Sequence, residues 1–148
     1  MASLVFPDYP FRMRMQQGRR QIFDELRRRW VVLTPEEWVR QHFLHYMTRQ
    51  KNYPAAFIAV EKAIRLGELT KRFDILVYNS AHQPWLMVEC KSNTIPLSDA
   101  TVHQLLGYNM AVPVSFLAVS NGGQHYFFAR KSEGLVAMED LPHWEEQL

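Results

Sequence analysis

Apolar positions recur at helical spacing early in the chain, and farther on they gather into short runs. Residues 34–37 (TPEE) combine a hydroxyl N-cap, a proline at the first helical position and a glutamate that can complete a capping box. Between this cap and residues 51–54, where the pattern fades, the apolar side chains are Trp38, Val39, Phe43, Leu44, Tyr46 and Met47. This spacing predicts an amphipathic helix that packs on an apolar surface.

Five later segments are rich in β-branched and aromatic residues and are separated by turn formers, as strands are. A helix is predicted between the third and fourth of them, at residues 98–111, with Ser98 as its N-cap. This order predicts an α/β fold with a mixed sheet, in which an antiparallel meander gains one parallel strand and helices flank the sheet. The nearly continuous apolar run at 112–119 predicts a strand covered on both faces. The five segments are 57–65, 72–79, 84–91, 112–120 and 125–130.

The composition is typical of one compact domain in a reducing compartment. The 148 residues are 47% hydrophobic and 22% charged, and they include one cysteine, Cys90. A single cysteine excludes an internal disulfide and a zinc ribbon built on cysteine pairs. No uncharged apolar run reaches the ~18 residues of a membrane span, and residues 1–14 lack the pattern of a secretory signal. We therefore expect a cytoplasmic protein with no membrane partner.

Charge is distributed unevenly, although the formal net charge is only +2. We divide the single domain into a basic arm (1–33), a core (34–130) and an acidic tail (131–148). Planar guanidinium groups suit bidentate contact with phosphate, which makes the arm a candidate nucleic-acid surface. A solvated face, or a patch that folds onto the tail, explains the composition equally well. The arginines of the arm are Arg12, Arg14, Arg19, Arg20, Arg27, Arg28 and Arg29.

Two carboxylates and a lysine are predicted to meet on one hairpin. Because alternate residues of a strand share a face, a turn centred between residues 81 and 82 places eight side chains on one side of the sheet. Opposed carboxylates repel each other unless a cation neutralises them, and hard cations such as Mg²⁺ take oxygen ligands. The predicted pairs are Tyr78 with Trp85, Leu76 with Met87, Asp74 with Glu89, and Arg72 with Lys91.

The same acids can instead form ordinary ion pairs with neighbouring basic residues at a solvated strand end. Their position favours the metal site. Glu89 and Lys91 follow the apolar run at 85–88, and Asp74 lies inside the apolar segment 73–77. Unpaired charges are costly in strands of that kind.

An Asp followed by Glu-x-Lys at the end of an apolar strand resembles the PD-(D/E)xK nuclease superfamily, and the predicted order resembles its restriction-endonuclease-like αβββαβ core. Gln104 and Tyr108, four residues apart on one helix, resemble the QxxxY motif of the lambda-exonuclease-like branch. Five segments in order resemble, more narrowly, the N-terminal nuclease domain of type I restriction enzyme R subunits, here as a stand-alone domain. They are PEEWVRQ, AVEKAI, KRFDILVYN, LMVECK and QLLGYNM, and the resemblance extends from residue 33 to about residue 130.

This resemblance implies a metal-dependent nuclease, and we expect a DNA endonuclease. Asp74, Glu89 and the backbone carbonyl of Cys90 would hold Mg²⁺, for which Mn²⁺ can substitute. Lys91 would position or activate the attacking water. Glu37 resembles the accessory acid of related nucleases, although its capping role explains it equally well.

Two residues of the second helix would complete the site on the same resemblance. Gln104 would orient Lys91 or a phosphate, and Tyr108 would support Gln104; a half-buried polar pair on an amphipathic helix is the alternative. The sequence contains no G-x-x-x-x-G-K-[ST] phosphate loop, so we expect no motor and no use of ATP. A second copy or a separate motor protein is a further expected partner.

Two non-enzymatic functions remain open. A non-catalytic nucleic-acid-binding or assembly module with this fold would depend on arginines such as Arg19 and Arg20, and would show no Mg²⁺-dependent cleavage. A structural partner domain would show neither nucleic-acid binding nor metal uptake.

Overall fold

The fold consists of two sheets and two α-helices in the part of the chain that the computed structural model describes. That part is residues 5–108 and 112–145, without the side chains of Leu66 and Tyr108. The first sheet has three antiparallel strands, β1 (Met13–Gln16), β2 (Arg19–Asp24) and β3 (Arg29–Val32). The second has six, namely β4 (Ile58–Leu66), β5 (Leu69–Tyr78), β6 (Pro84–Cys90), β7 (Phe116–Ser120), β8 (His125–Lys131) and β9 (Gly134–Met138).

The six-stranded sheet is mixed, as predicted. Its strands lie in sequence order, and every neighbouring pair is antiparallel except β6 and β7. Helix α2 (Asp99–Tyr108) connects these two strands, since a parallel pair needs a crossover. Strand β7 is buried along its whole length. The predicted α/β class, with a meander and one parallel strand, is confirmed.

Helix α1 (Pro35–His45) begins at the predicted cap. The hydroxyl of Thr34 accepts a hydrogen bond from the backbone N–H of Glu37 at 3.0 Å, and Pro35 occupies the first turn. A π-helical turn, Tyr46–Gln50, extends the helix to the point where its apolar pattern fades. Phe43 and Met47 are fully buried from this face.

The large sheet separates two apolar cores. The α1-side core contains Val39, Phe43, Val88 and Cys90, whereas the α2-side core contains Leu76, Met87, Leu97, Val102 and Leu106. No helix in the described part is long and apolar enough to span a bilayer.

The hairpin register is correct near the site and wrong near the turn. Leu76 pairs with Met87 as predicted, but a bulge after Val77 pairs Tyr78 with Pro84 instead of Trp85. The turn is wider than expected because the Asn79 side chain accepts hydrogen bonds from two backbone amides within it. Trp85 therefore packs in the α1-side core, opposite to Met87, and the eight side chains do not share one face.

Other differences concern segments where tertiary structure outweighs local pattern. The predicted strand at 112–120 begins only at Phe116, because Pro113 lacks the N–H that a ladder needs. Strands β1 to β3 and β9 were not predicted. Residues 109–111 of the predicted second helix lie outside the described part.

Candidate active site and basic surface

Asp74 joins the two halves of the predicted motif through a hydrogen bond. Its Oδ2 accepts the backbone N–H of Cys90 at 2.7 Å, so a carboxylate on β5 is tied to the central residue of Glu-x-Lys on β6. The last ladder pair between these strands is Ile75 with Val88. The carboxylate thus lies in the gap where the strands separate and takes the place of a ladder acceptor.

The strands diverge beyond this point, and so the predicted pairing of Arg72 with Lys91 does not form. Arg72 pairs with Ala63 on β4, while the N–H of Lys91 donates to the carbonyl of Ser120 at the end of β7. Strand divergence opens the sheet at the residues that carry the motif.

Glu89 leaves β6 on the α2 side, because Val88 and Cys90 on either side of it both pack in the α1-side core. Alternation along β5 is broken at Asp74, since Phe73 packs in the α2-side core and Ile75 in the α1-side core. The Asp74 carboxylate instead contacts Arg40 of α1, so it lies on the α1 side. The predicted ladder pair of Asp74 with Glu89 does not form, and the prediction that the two carboxylates share one face of the hairpin is wrong.

Arg40 from α1 is the cation that the sequence analysis did not foresee in this site. Its side chain is 6% exposed and contacts four carboxylates. They are Glu36 at 3.7 Å, Glu37 at 3.4 Å, Glu61 at 2.9 Å and Asp74 at 3.4 Å. The surrounding charges raise the pKa of Arg40 although burial alone would lower it. Its buried Nε has no hydrogen-bond partner in the described part of the structure.

Glu61 reaches this cluster from a distorted position in β4. Its φ is +53°, a left-handed conformation that is unusual for a residue with a side chain, and the ladder has no pair at Glu61. Its carboxylate contacts Arg40 at 2.9 Å and Arg27 at 3.2 Å. The hydrogen bond from Arg40 lowers the pKa of Glu61. These contacts place the Glu61 side chain on the α1 side of the large sheet.

The two glutamates at the start of α1 have different environments. Glu37 is buried and bonds to Arg27, Arg40 and Gln41, so the expected accessory acid is held within the protein. Burial, followed by the charge of Asp74, raises the pKa of Glu36, while Arg40 and Lys91 oppose this.

Glu36 therefore lies close enough to Asp74 and Lys91 for both charges to act on its carboxyl group. The sequence did not single out Glu36, because Glu36 and Glu37 both suit the first turn of α1. Only the orientation of α1 about its own axis decides which of the two faces Asp74.

Cys90 is buried, as predicted. Burial, together with the charge of Asp74, raises the pKa of its thiol well above the ordinary value. Its side chain is thus a neutral apolar group in the α1-side core, and only its backbone can take part in the site.

Arg27 connects the small sheet to the cluster. Its guanidinium contacts Asp24 at 2.7 Å, Glu37 at 3.2 Å and Glu61 at 3.2 Å. Asp24 is fully buried; its burial would raise its pKa, but hydrogen bonds from Arg27 and Gln41 lower it. Arg27 therefore differs from the other arginines of the arm, because its charge is used inside the protein.

Those other six arginines, Arg12, Arg14, Arg19, Arg20, Arg28 and Arg29, are exposed. The described part of the acidic tail is engaged elsewhere: Asp140 contacts Lys51 and Tyr46, and Glu145 contacts the backbone of Ser80. No ion pair in the described ranges links the arm to the tail.

The residues of α2 are not brought into the cluster by any described contact. Gln104 is exposed on the helix, and the side chain of Tyr108 lies outside the described part. Their predicted roles remain predictions.

The donor atoms of the site suit a hard cation that is only partly held by protein. In the described ranges, five carboxylates contact two guanidinium groups, and the charges of Lys91 and Arg72 act on Glu36 and Glu61 from farther away, so acid is in slight excess. Among the described residues, no three or more His, Cys, Asp or Glu side chains are arranged so that together they could hold a metal ion. Mg²⁺ commonly binds through one or two carboxylates, with waters and substrate phosphates as its other ligands, so it does not require a closed set of protein ligands.

Comparison with known families matches residues 35–142 to the family described as type I restriction enzyme R protein N terminus. The match contains Asp74, Glu89, Lys91 and both helices, and it begins after the small sheet. It supports a restriction-enzyme-like nuclease role. No curated protein was found to match the chain. The chain therefore belongs to the family of type I restriction enzyme R protein N-terminal domains, as its sequence resemblance predicted.

Proposed function

We propose that this protein is a Mg²⁺-dependent nuclease that cleaves phosphodiester bonds inside DNA strands. Its active site would lie at the end of β6. The observation that carries the proposal is the hydrogen bond from the N–H of Cys90 to Asp74, which ties the Asp to the backbone of the Glu-x-Lys segment at the point where the two strands separate. The family match supports the nuclease role.

Asp74, Glu89 and the backbone carbonyl of Cys90 would hold the ion at the open end of the hairpin, beyond the last ladder pair, because the two side chains leave their strands on different sides. When bound, the ion supplies positive charge at the phosphate and a more acidic water. Mn²⁺ would serve in its place, because it shares the preference for oxygen ligands.

Lys91 would hold the attacking water or the phosphate next to the ion. Its side chain forms no ion pair within 4 Å with a carboxylate of the described residues, and its charge acts on Glu36 from a distance. An ammonium group that is not already paired can contact an incoming phosphate without first breaking an ion pair.

Arg40 would balance the acids that crowd the ion. The positive charge of Arg40 reduces the repulsion between the carboxylates, so the protein can fold without a bound metal. The remaining excess of negative charge still attracts a cation. Arg40 is thus a positioning residue, since it acts through Asp74 and Glu61.

The experiment is cleavage of supercoiled plasmid and circular single-stranded DNA with Mg²⁺, Mn²⁺ or chelator. Circular substrates have no ends, so their cleavage shows internal cutting. We expect nicking or linearisation with either metal, none with chelator, and none by Lys91→Ala, which should still bind DNA. Undiminished cutting by Lys91→Ala would exclude the mechanism.

One observation favours a second candidate, a DNA-binding or assembly module that does not cleave. Arg40 lies 3.4 Å from Asp74, where its positive charge competes with a metal. This candidate predicts intact circles in every metal, together with DNA binding that the exposed arginines support.

A further inference from the structure

The three-stranded sheet has one face that is both basic and aromatic. Residues that pair across antiparallel strands point to the same side, so the register defines this face. It is formed by Arg12, Arg14, Gln16, Arg19, Gln21, Phe23, Trp30 and Val32, and we call it the arginine–aromatic face. The opposite side of β2 carries Ile22 and Asp24, both fully buried. The arginine–aromatic face therefore points outward.

The positive charge on this face is not balanced within the described structure. Its register positions include three arginines and no acid. Arg27, the one arginine of the arm in described ion pairs, belongs to the turn between β2 and β3 and contacts the core. An internal ion-pair network thus does not explain Arg12, Arg14 and Arg19.

Two aromatic rings hold two of these guanidinium groups in place. The guanidinium of Arg12 lies 4.6 Å from the ring centre of Phe23 and 5.5 Å from that of Trp30, and Arg14 lies 4.4 Å from Trp30. Phe23 and Trp30 themselves meet edge to face at 5.4 Å. Such cation–π contacts order long side chains that are otherwise mobile on a surface.

A guanidinium held over a ring keeps N–H groups at its edge; in Arg14 the Nε donates to the side chain of Gln21 at 2.7 Å, which leaves the terminal nitrogens as donors. Those donors match the paired oxygens of a phosphate. The rings are already covered by arginines, so they are not open platforms for bases. The chemistry of the face therefore favours the sugar-phosphate backbone over the bases.

We propose that the arginine–aromatic face binds the phosphate backbone of DNA, independently of base sequence, and delivers it to the acidic site. The face lies before residue 35, so it is outside the part of the chain that the family match covers. It rests on the proposed function only in taking DNA as the partner. The small sheet is joined to the acidic site through Arg27, which contacts both Asp24 of β2 and Glu61 of β4.

The test is fluorescence anisotropy of labelled single- and double-stranded DNA with the full chain in chelator, so that cleavage plays no part. Arg12→Ala with Arg14→Ala should weaken binding to both forms roughly tenfold and reduce the slope of log affinity against log salt by about two. Arg65→Ala with Lys131→Ala removes the same charge from exposed positions of the large sheet and is the matched control. It should change affinity by less than about threefold.

A neutral substitution separates this face from general attraction between charges. Trp30→Leu retains every arginine, yet it should weaken binding severalfold because the guanidinium groups lose their support. If that variant does not fold, Arg12→Lys with Arg14→Lys tests the same point, since lysine keeps the charge without the planar group.

Two results would overturn the proposal: equal losses in the double-arginine variant and its control, or loss of single-stranded binding alone after Trp30→Leu with no effect of the arginines. The second result would indicate base stacking. Because these measurements contain no metal, they can fail while metal-dependent cleavage is present, and they can succeed when cleavage is absent.

Discussion

The Asp74 carboxylate accepts the N–H of Cys90 at 2.7 Å, across the point where β5 and β6 separate. A side chain here replaces the carbonyl that a continued ladder would provide. The two strands can therefore diverge without leaving a buried amide unpaired. Asp74, which we expect to bind the ion, is thus also the residue at which the ladder between β5 and β6 ends.

Replacing Asp74 by alanine should thus reduce stability more than replacing it by asparagine. Alanine leaves the N–H of Cys90 without an acceptor, whereas the asparagine carbonyl can still accept it. We expect Asp74→Ala to be less stable than Asp74→Asn by about 1–2 kcal/mol. Urea unfolding of both variants in chelator measures the difference. Equal stability would show that the hydrogen bond does not hold the strands.

Removal of Arg40 should destabilise the fold and make it responsive to divalent cations. Arg40→Met removes the cation from the buried Glu37 and from the partly exposed Glu36, Glu61 and Asp74, and we expect a loss of roughly 3 kcal/mol at neutral pH. Millimolar Ca²⁺, which also takes oxygen ligands, should restore part of this stability.

The readout is the urea midpoint with and without Ca²⁺, compared with Arg40→Lys, which keeps a charge. A Ca²⁺ effect no larger than that on the wild-type chain would mean that the acid cluster does not attract cations.

Arg27 and Arg29 are close in sequence but should differ sharply when substituted. Arg27→Met breaks contacts to Asp24, Glu37 and Glu61, and should cost roughly 3 kcal/mol because Asp24 remains buried. Exposed Arg29→Met should change the free energy of unfolding by no more than about 0.5 kcal/mol. Thermal unfolding of both variants checks this, and similar losses would contradict the described role of Arg27.

Much of the core could be predicted because local signals and tertiary structure agree there. Thr34 caps α1 with its own side chain, and the alternation around Leu76 and Met87 fixes the hairpin register next to the site. These features depend on residues close in sequence or directly paired.

The small sheet and the acid cluster could not be predicted from the same signals. Strands β1 and β2 are rich in arginine, which has no strong strand preference. The many charged positions hid the alternation of residues between the two faces and the hairpin turn at Gly18, whose φ is +73°. Arg40 meets Glu61 only because β4 adopts a positive φ there. Such contacts join residues that no local pattern relates.

Stability should fall as the pH drops from 6.5 towards 4, because His125 is buried and neutral in the folded protein. Burial lowers its pKa from 6.5 to about 4, and its Nε2 has no described hydrogen-bond partner. The unfolded chain therefore takes up a proton in this range before the folded one does. We expect this proton uptake to lower the free energy of unfolding by about 3 kcal/mol, with the full loss reached near pH 4.

Urea unfolding of His125→Gln across this range tests the assignment. Its free energy of unfolding should depend less steeply on pH than that of the exposed control His143→Gln. Some dependence should remain, since burial also lowers the pKa of His42 and His45. Identical slopes would show that His125 does not control the effect.

Electron paramagnetic resonance of Mn²⁺ titrated into the full chain tests most directly whether the acids of β5 and β6 hold a divalent cation. The wild-type chain should bind one Mn²⁺, Mg²⁺ should compete for it, and Asp74→Asn with Glu89→Gln should lose it while remaining folded. Asp99→Asn, which removes an acid from the start of α2, should bind as the wild type does. Unchanged Mn²⁺ binding by the Asp74 and Glu89 double variant, or no binding by the wild-type chain, would contradict a metal site at the end of β6.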